Sequence, residues 1–361
     1  MSLKVVFIVR SSFDTVKGGD TQQLLCTARE LGTLGVVVDI KKATDRIDYG
    51  KYDLMHLFNL IRPADHLDHI ARSGLPYVLS TIYLDYSRFD TLGRSQPAKL
   101  LFRMTGKHLA EYMKTCYRTI KGQDKLASAG YLLGHQRAVR TVLSGARMLL
   151  PNSPSEYNRL FADFGIQKPY RVIPNGIDTK IFKTLPAPER NENQVLCVGQ
   201  VYGLKNQHRL IEATRQMNVK LVIIGKPPPN HHTYFEYCRK IAHKNVEFHG
   251  FMPQEELANY YATSKVHALP SWFETTGLSS LEAGAMGCNL VVGKGGDTLD
   301  YFRDHASFCY APDQREIEEA LEKELTRKNS LDFRKYILSN YTWEQAALET
   351  HKAYLQALGH E

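Results

Sequence analysis

Short apolar runs that alternate with helical patterns along the whole chain constrain this fold more than any other feature of the sequence. Runs such as LVIIG (221–225) are apolar on both faces, which is typical of strands in a parallel sheet covered by helices on both sides. This alternation predicts right-handed βαβ units and doubly wound α/β sheets. The predicted strands cover residues 4–9, 36–40, 52–58, 76–81, 146–151, 170–174, 194–199, 219–225, 246–250, 265–270, 289–293 and 307–311.

These runs fall into two blocks, which predict two similar domains facing each other across a cleft. The 361 residues are enough for two such domains. The loop-rich stretch PNGIDTKIFKTLPAPERNENQ (174–194) separates the blocks. We therefore predict an N-terminal domain over residues 1–173 and a C-terminal domain over residues 174–342, followed by a helix over 341–359 whose apolar face needs a partner.

The composition is that of a soluble globular protein, with 43% hydrophobic and 23% charged residues. The longest apolar runs are too short to span a membrane, and the N-terminal residues show no secretory pattern. These features predict a cytoplasmic location. Neither an acidic cluster nor a Cys-x-x-Cys spacing indicates a metal site, so no metal is expected.

Residues that follow the predicted strands are the first candidates for a site, because ligands bind beyond the carboxyl ends of such strands. Gly18 and Gly19 precede a helix that we expect to begin near Asp20 or Thr21. This glycine pair either lets backbone N–H groups approach a phosphate or forms an ordinary tight turn. Lys205, after the run at 194–199, is either a cation for a phosphate or a solvated surface lysine.

The stretch SWFETTGLSSLEAG (271–284) places Glu274 and Glu282 on either side of a strand-to-helix turn. The backbone N–H groups of Thr276, Gly277 and Leu278 would begin that helix, and such an end suits a diphosphate. Carboxylates bind vicinal diols, so one glutamate can hold a ribose and the other the hydroxyls of a sugar. The alternatives are a helix-end acid, a solvated loop acid, or the acid and nucleophile of a glycosidase.

In these motifs the chain resembles the retaining nucleotide-sugar glycosyltransferases of family 4, which have the GT-B fold. The matching segments run in the family's order over nearly the whole length. They are GGD (18–20), VIPNGID (172–178), VGQVYGLKNQHRLIEA (198–213), VEFHGFMPQEELANYYATS (246–264) and LPSWFETTGLSSLEAGAMGCNLVV (269–292).

The resemblance implies binding roles for residues in these motifs. Glu282 would bind the nucleotide ribose, Glu274 the transferred sugar and Lys205 the diphosphate, with Gly18 and Gly19 closing over it from the other domain. Further donor contacts would come from Gly250, Phe251, Thr275, Thr276, Gly277 and Leu278.

Two positions depart from the family pattern. The family usually has an arginine five residues before the lysine, where this chain has Gln200, so one cation facing the diphosphate is missing. Tyr83 stands where many members have a histidine near the acceptor. Tyr83 and Asp85 either replace that histidine or line the cleft.

The resemblance implies transfer of a sugar from a nucleoside-diphosphate sugar with retention of anomeric configuration, without a metal or other cofactor. The acceptor would be a glycan or a lipid-linked molecule in bacterial capsule, lipopolysaccharide or exopolysaccharide biosynthesis. The helix over 343–361 would complete the N-terminal domain. A sugar-nucleotide-binding protein with weak or no activity, a partner in a biosynthetic complex, is the alternative that Gln200 favours.

A basic segment accounts for the net charge of +8, because residues 91–150 contain 11 Lys/Arg and only 2 Asp/Glu. Within it, residues 97–121 have a helical pattern with a basic stripe on one side. The stripe either faces an anionic membrane surface, which would make the protein peripheral on the inner face of the cytoplasmic membrane, or is a solvated face. Nucleic acid fits poorly, because little aromatic interleaving accompanies the charge. Its candidate membrane-facing residues are Lys99, Arg103, Lys107, Lys114 and Arg118.

Overall fold

The structure is a computed structural model in which the chain divides into two compact units. The first unit takes the described residues of Met1–Leu84, Leu100–Asn175 and Trp343–Glu361, and the second those of Asp85–Lys99 and Gly176–Thr342. The predicted boundaries at 173 and 342 lie close to these, but the segment that begins at 85 joins the second unit. The described residues are 2–11, 13–14, 18–93, 109, 112–113, 131, 134–183 and 189–360.

The first unit contains a five-stranded parallel sheet in the order β2-β1-β3-β4-β5. Both β1 and β3 are buried almost throughout, because helices cover both faces of the sheet. The strands are β1 Lys4–Val9, β2 Val37–Lys42, β3 Leu54–Phe58, β4 Tyr77–Ser80 and β5 Met148–Leu150. The helices are α1 Gly19–Thr33, α2 Ala64–Ser73, α3 His135–Gly145, α4 Pro154–Phe164 and the last helix, Trp343–Leu358.

The last helix is fixed to the first sheet by a buried hydrogen-bonded chain. His56 on β3 lies 2.7 Å from the hydroxyl of Tyr354 on that helix and 2.9 Å from the hydroxyl of Ser80 on β4. Burial lowers the pKa of His56 to about 3, so the imidazole is neutral at neutral pH. Because both ring nitrogens of His56 are hydrogen-bonded, the buried imidazole and the Tyr354 hydroxyl each have a partner in the core.

The predicted strand at 170–174 is wrong. Only an isolated bridge joins Leu149 to Tyr170, although Arg171 donates a backbone hydrogen bond to Leu149 and Ile173 donates one to Pro151. Pro151 has no N–H to return, so the ladder ends there.

The second unit contains a six-stranded parallel sheet in the order β11-β10-β9-β6-β7-β8. Alternate residues of its central strand supply two cores, Leu196 on one face and Cys197 on the other. The strands are β6 Asn191–Val198, β7 Lys220–Ile224, β8 Val246–His249, β9 Ser264–Leu269, β10 Asn289–Gly293 and β11 Ser307–Cys309. The helices are α5 Gln207–Ala213, α6 His232–Ile241, α7 Gln254–Thr263, α8 Leu278–Ala285, α9 Thr298–Phe302, α10 Gln314–Thr326 and α11 Asp332–Asn340.

The strand order reverses between β6 and β9. From β6 the chain adds β7 and β8 on one side, and then returns to place β9, β10 and β11 on the other side. The loops that leave the carboxyl ends of β6 and β9 therefore diverge from neighbouring strands. This is the crevice in which open α/β sheets bind their ligands.

Candidate active site

The loop after β6 ends in a short helical turn, Gly203–Lys205, that is tied to its neighbours through Asn206. Asn206 has a left-handed backbone, with φ 64°. Its buried side-chain amide donates to the carbonyl oxygens of Pro270 at 3.1 Å and Ala311 at 2.8 Å. Because those carbonyls follow β9 and β11, the amide holds Lys205 at the crevice between β6 and β9.

Lys205 and Glu274, which the sequence places after β6 and β9, form an ion pair. Both side chains are largely buried, with exposures of 18% for Lys205 and 11% for Glu274. Burial alone would lower the pKa of Lys205, but the Glu274 carboxylate and Tyr202 outweigh it and the pKa is raised. The site therefore holds a charged ammonium beside a carboxylate at the point where the strand order reverses.

A glycine-rich loop after β10 fixes the backbone of Glu274. The N–H of Glu274 donates to Gly295 O at 3.1 Å, and the N–H of Asp297 donates to Glu274 O at 2.8 Å. A Cβ on Gly295 would lie 1.9 Å from Trp272 O, and one on Gly296 would lie 1.9 Å from Glu274 O. This loop was not among the predicted site residues, although the GKGGD pattern (293–297), which begins at the last residue of β10, is the signal that could have indicated it.

We expect Gly296→Ala to destabilise the protein by about 1–3 kcal/mol, as overpacking does. The added methyl would meet the Glu274 carbonyl, and the backbone φ of +90° is strained for any residue with a Cβ. Thermal unfolding measures the effect. The control is Gly250→Ala, whose Cβ would meet only the flexible end of Lys226 at 3.4 Å. Equal stability of the two variants would contradict the close packing described here.

Glu282 lies on α8 and has an exposure of 8%. Its Oε1 accepts from the Gln254 amide at 2.7 Å, and its Oε2 accepts from the Tyr261 hydroxyl at 3.1 Å. Burial raises the pKa of Glu282 to about 7, against the opposing effect of these two donors. Each carboxylate oxygen keeps a lone pair for a further donor. Sequence reasoning assigned no function to Gln254 or Tyr261, both on α7.

The turn between Glu274 and α8 ends at Gly277, the N-cap of that helix. Gly277 has a left-handed backbone, with φ 74°, and its carbonyl accepts from the N–H groups of Ser280 at 2.9 Å and Leu281 at 3.0 Å. Leu278 precedes these first bonds, so its N–H has no carbonyl within the helix. Thr276 is buried and Thr275 is half-buried beside it.

The remaining predicted donor contacts of this unit follow β6 and β8. Gln200 is exposed, and its backbone carbonyl accepts from the Gln207 amide at 2.9 Å. Gly250 and Phe251 come directly after β8. The Phe251 side chain is 74% exposed, which is high for a large apolar residue and leaves most of its surface open to a ligand.

In the first unit, α1 begins at Gly19 with Gly18 as its N-cap, so the start predicted near Asp20 or Thr21 comes one to two residues late. Arg10, after β1, forms an ion pair with Asp20 and donates to the Thr21 hydroxyl at 3.2 Å. Sequence reasoning overlooked Arg10. The pair neutralises the acid in the first turn of α1.

Tyr83 and Asp85 lie in different units. Tyr83 is buried in the first, where its hydroxyl donates to Asp163 at 2.6 Å and its N–H donates to Glu156 at 2.8 Å. Both partners are on α4, so these contacts anchor the end of the β4 loop to that helix. Asp85 is half-buried in the second unit and accepts from the backbone N–H of Ser87 at 2.9 Å.

The predictions on membrane contact, membrane-spanning helices and metal sites can be compared only with the described residues. The five candidate membrane-facing residues, Lys99, Arg103, Lys107, Lys114 and Arg118, lie outside the described residues. Among the residues that are described, no helix is both long enough and apolar enough to cross a membrane. Within the same ranges, no group of three or more His, Cys, Asp or Glu side chains is placed to hold a metal ion.

The second unit is similar to a known protein family. Residues 178–338 match the family model "Glycosyl transferases group 1". An uncharacterized glycosyltransferase of Methanocaldococcus jannaschii is 29% identical over 339 residues, which are 89% of this chain and 79% of the relative.

Two solved structures are similar over almost the whole chain. Sucrose-phosphate synthase from Thermosynechococcus elongatus has a TM-score of 0.76 at 17% identity, covering 99% of this chain and all of that one. HepE of Anabaena, solved with UDP and glucose, has a TM-score of 0.69 at 15% identity, covering 98% of this chain and all of that one. These likenesses establish the fold, which is that of GT-B glycosyltransferases. The chain therefore has the GT-B fold, and its residues 178–338 match the model of the glycosyl transferases group 1 family.

Proposed function

We propose that this chain is a glycosyltransferase of family 4, which uses a nucleoside-diphosphate sugar and transfers the sugar with retention of anomeric configuration. The observation that carries the proposal is the Lys205–Glu274 ion pair in the crevice between β6 and β9. A cation and a carboxylate held together there match the two parts of such a donor, an anionic diphosphate and a neutral sugar with hydroxyl groups.

In this proposal, binding of the donor breaks the ion pair between Lys205 and Glu274. Lys205 turns to the diphosphate, and Glu274 accepts hydroxyl groups of the transferred sugar. Glu282 accepts the ribose hydroxyls with the lone pairs that Gln254 and Tyr261 leave open. HepE, which shares the fold, was solved with UDP and glucose, and this supports a donor of the same chemical class.

The other donor contacts surround these three side chains. The N–H groups at the start of α8, from Thr276 to Leu278, would bind the phosphates, with Thr275 beside them. Gly250 and the exposed ring of Phe251 would flank the base. Gly18 and Gly19 would supply backbone contacts from the first unit.

The proposed reaction breaks the bond between the sugar's anomeric carbon and the diphosphate oxygen. The acceptor hydroxyl attacks from the same face, and its proton passes to the departing diphosphate. Lys205 and the start of α8 stabilise the charge that develops on the leaving group. No protein nucleophile or metal is required, and the family match supports transfer rather than hydrolysis by the two glutamates.

The proposed acceptor is a glycan or a lipid-linked molecule, in bacterial capsule, lipopolysaccharide or exopolysaccharide biosynthesis. We propose a cytoplasmic protein that attaches to the inner face of the membrane through the basic stripe over residues 99–118. The alternative, a sugar-nucleotide-binding protein without turnover, is favoured by one observation. Gln200, exposed and uncharged, stands where the family usually has an arginine facing the diphosphate.

The test is to incubate the protein with α-linked nucleoside-diphosphate sugars and candidate acceptors, and to follow release of the nucleoside diphosphate. We expect release that depends on the acceptor, and a product whose anomeric signals in NMR spectra show the α configuration. A β-linked product would contradict the retaining mechanism. Tight nucleotide binding without release, across donors and acceptors, would support the non-catalytic alternative.

A further inference from the structure

A second concave site lies in the second unit, next to the loops that carry Lys205 and Glu274. It is a cavity of ≈ 420 Å³, a size within the range of small-molecule sites. We propose that it binds a sugar ring that carries a negatively charged group, either a carboxylate or a phosphate. The residues that carry this proposal are Gly203, His208, Arg209, Tyr234, Tyr237 and Trp272.

Aromatic side chains form much of the cavity wall. Trp272, Tyr234 and Tyr237 offer flat apolar surfaces with polar edges, which suit a ring that has C–H faces and hydroxyl edges. Tyr234 is held in place because its hydroxyl lies 3.1 Å from both the backbone nitrogen and Nδ1 of His208. Tyr237 is 49% exposed, so its ring is at the open side.

Arg209 supplies a positive charge to the cavity wall. It is half-buried, and it forms no ion pair with any carboxylate in the part of the chain that the structure describes. Glu212, on the same helix, is engaged by Arg215 at 3.1 Å. Burial and the neighbouring Arg209 lower the pKa of His208 to about 4, so at neutral pH the guanidinium is the charge of the cavity wall. A guanidinium binds carboxylate and phosphate groups with paired hydrogen bonds.

Two residues of the cavity wall belong to the loops that carry Lys205 and Glu274. Gly203 begins the turn that ends at Lys205, and Trp272 lies two residues before Glu274. The N–H of Trp272 donates to Leu204 O at 2.9 Å, which joins the two loops. A ligand in the cavity would therefore contact both loops beside the donor site. The proposal does not depend on the proposed donor, because it needs only the cavity and its charge.

Calorimetric titration of the whole protein tests the proposal. The probes are glucuronate, glucose 6-phosphate, glucose and inorganic phosphate, each added with and without UDP. We expect at least one of the two anionic sugars to bind with a Kd of about 1 mM or tighter, whether or not UDP is present. The relative affinities of glucuronate and glucose 6-phosphate distinguish a carboxylate ligand from a phosphate ligand. Arg209→Gln should weaken that binding about tenfold or more, because a charge-assisted bond is lost.

Two further variants separate the cavity from general charge effects. Tyr237→Ala, at an exposed ring, should weaken all sugar binding and leave any phosphate binding unchanged. Arg239→Gln removes an exposed arginine of α6 outside the cavity and should change nothing. The proposal fails if neither anionic sugar binds, if UDP displaces the bound sugar, if phosphate binds as tightly as glucose 6-phosphate, or if Arg239→Gln weakens binding as much as Arg209→Gln.

Discussion

Replacing Lys205 by alanine is expected to lower kcat about 10²–10³-fold, while the affinity for the nucleoside diphosphate falls much less. The reason is that the proposed reaction builds negative charge on the leaving diphosphate, and a preorganised cation stabilises that charge most in the transition state. The ion pair with Glu274 holds the ammonium in place before the donor binds. Steady-state kinetics and nucleotide titrations measure the two effects separately.

The control for Lys205→Ala is Lys294→Ala, which removes the same charge from the loop after β10. Lys294 is 47% exposed and pairs with Glu316 at 2.7 Å, so its loss should leave kcat unchanged. Lys205→Ala also leaves Glu274 without its partner, and Lys205→Ala/Glu274→Ala should therefore unfold at a higher temperature than Lys205→Ala alone. If Lys205→Ala retains full kcat, the lysine does not act on the leaving group.

Replacing Glu282 by glutamine is expected to remove a loss of about 3 kcal/mol in the free energy of unfolding that the unmodified protein shows as the pH rises from about 4 to about 8. The pKa of Glu282 is raised from its usual value of 4.5 to about 7, mainly by burial. Below the lower value both the folded and unfolded chains carry the proton. As the pH rises between the two values only the unfolded chain loses it, so the free energy of unfolding falls and then levels off above about pH 7.

Glutamine cannot titrate, so Glu282→Gln should gain stability relative to the unmodified protein as the pH rises from about 4 to about 8. Denaturant unfolding at both pH values measures the difference. Glu247→Gln is the control with the opposite sign, because a hydrogen bond from Lys220 lowers the pKa of that exposed carboxylate. The unmodified protein should therefore lose stability relative to Glu247→Gln only as the pH falls below about 4.5, with little difference between the two at higher pH. A pH-independent difference between Glu282→Gln and the unmodified protein would show that Glu282 titrates normally in the folded chain.

The parts of the site that follow parallel strands could be predicted from the sequence. Apolar runs mark β6 and β9, and the carboxyl ends of parallel strands point to one edge of the sheet. That geometry makes Lys205 and Glu274 candidates without any knowledge of tertiary contacts. The two doubly wound sheets are predictable for the same reason, since their strands are apolar on both faces.

Contacts between side chains distant in the sequence could not be predicted in the same way. Glu282 depends on Gln254 and Tyr261, whose spacing on α7 reveals nothing about α8. The hydroxyl of Tyr83 bonds to Asp163, a contact that links residues 80 positions apart. Such pairs are set by how helices pack on the sheet, and local patterns carry little information about that packing.

The measurement that tests the central claim most directly is a calorimetric titration of UDP, GDP, ADP and CMP into the protein and into Glu282→Ala. If the crevice between β6 and β9 is a nucleotide-sugar site, one nucleoside diphosphate binds with much higher affinity than the other nucleotides. We expect Glu282→Ala to weaken that binding about tenfold or more, because bonds from the ribose hydroxyls to a carboxylate are lost. Binding of no nucleotide, or equal binding by both proteins, would contradict the assignment of this crevice as the donor site.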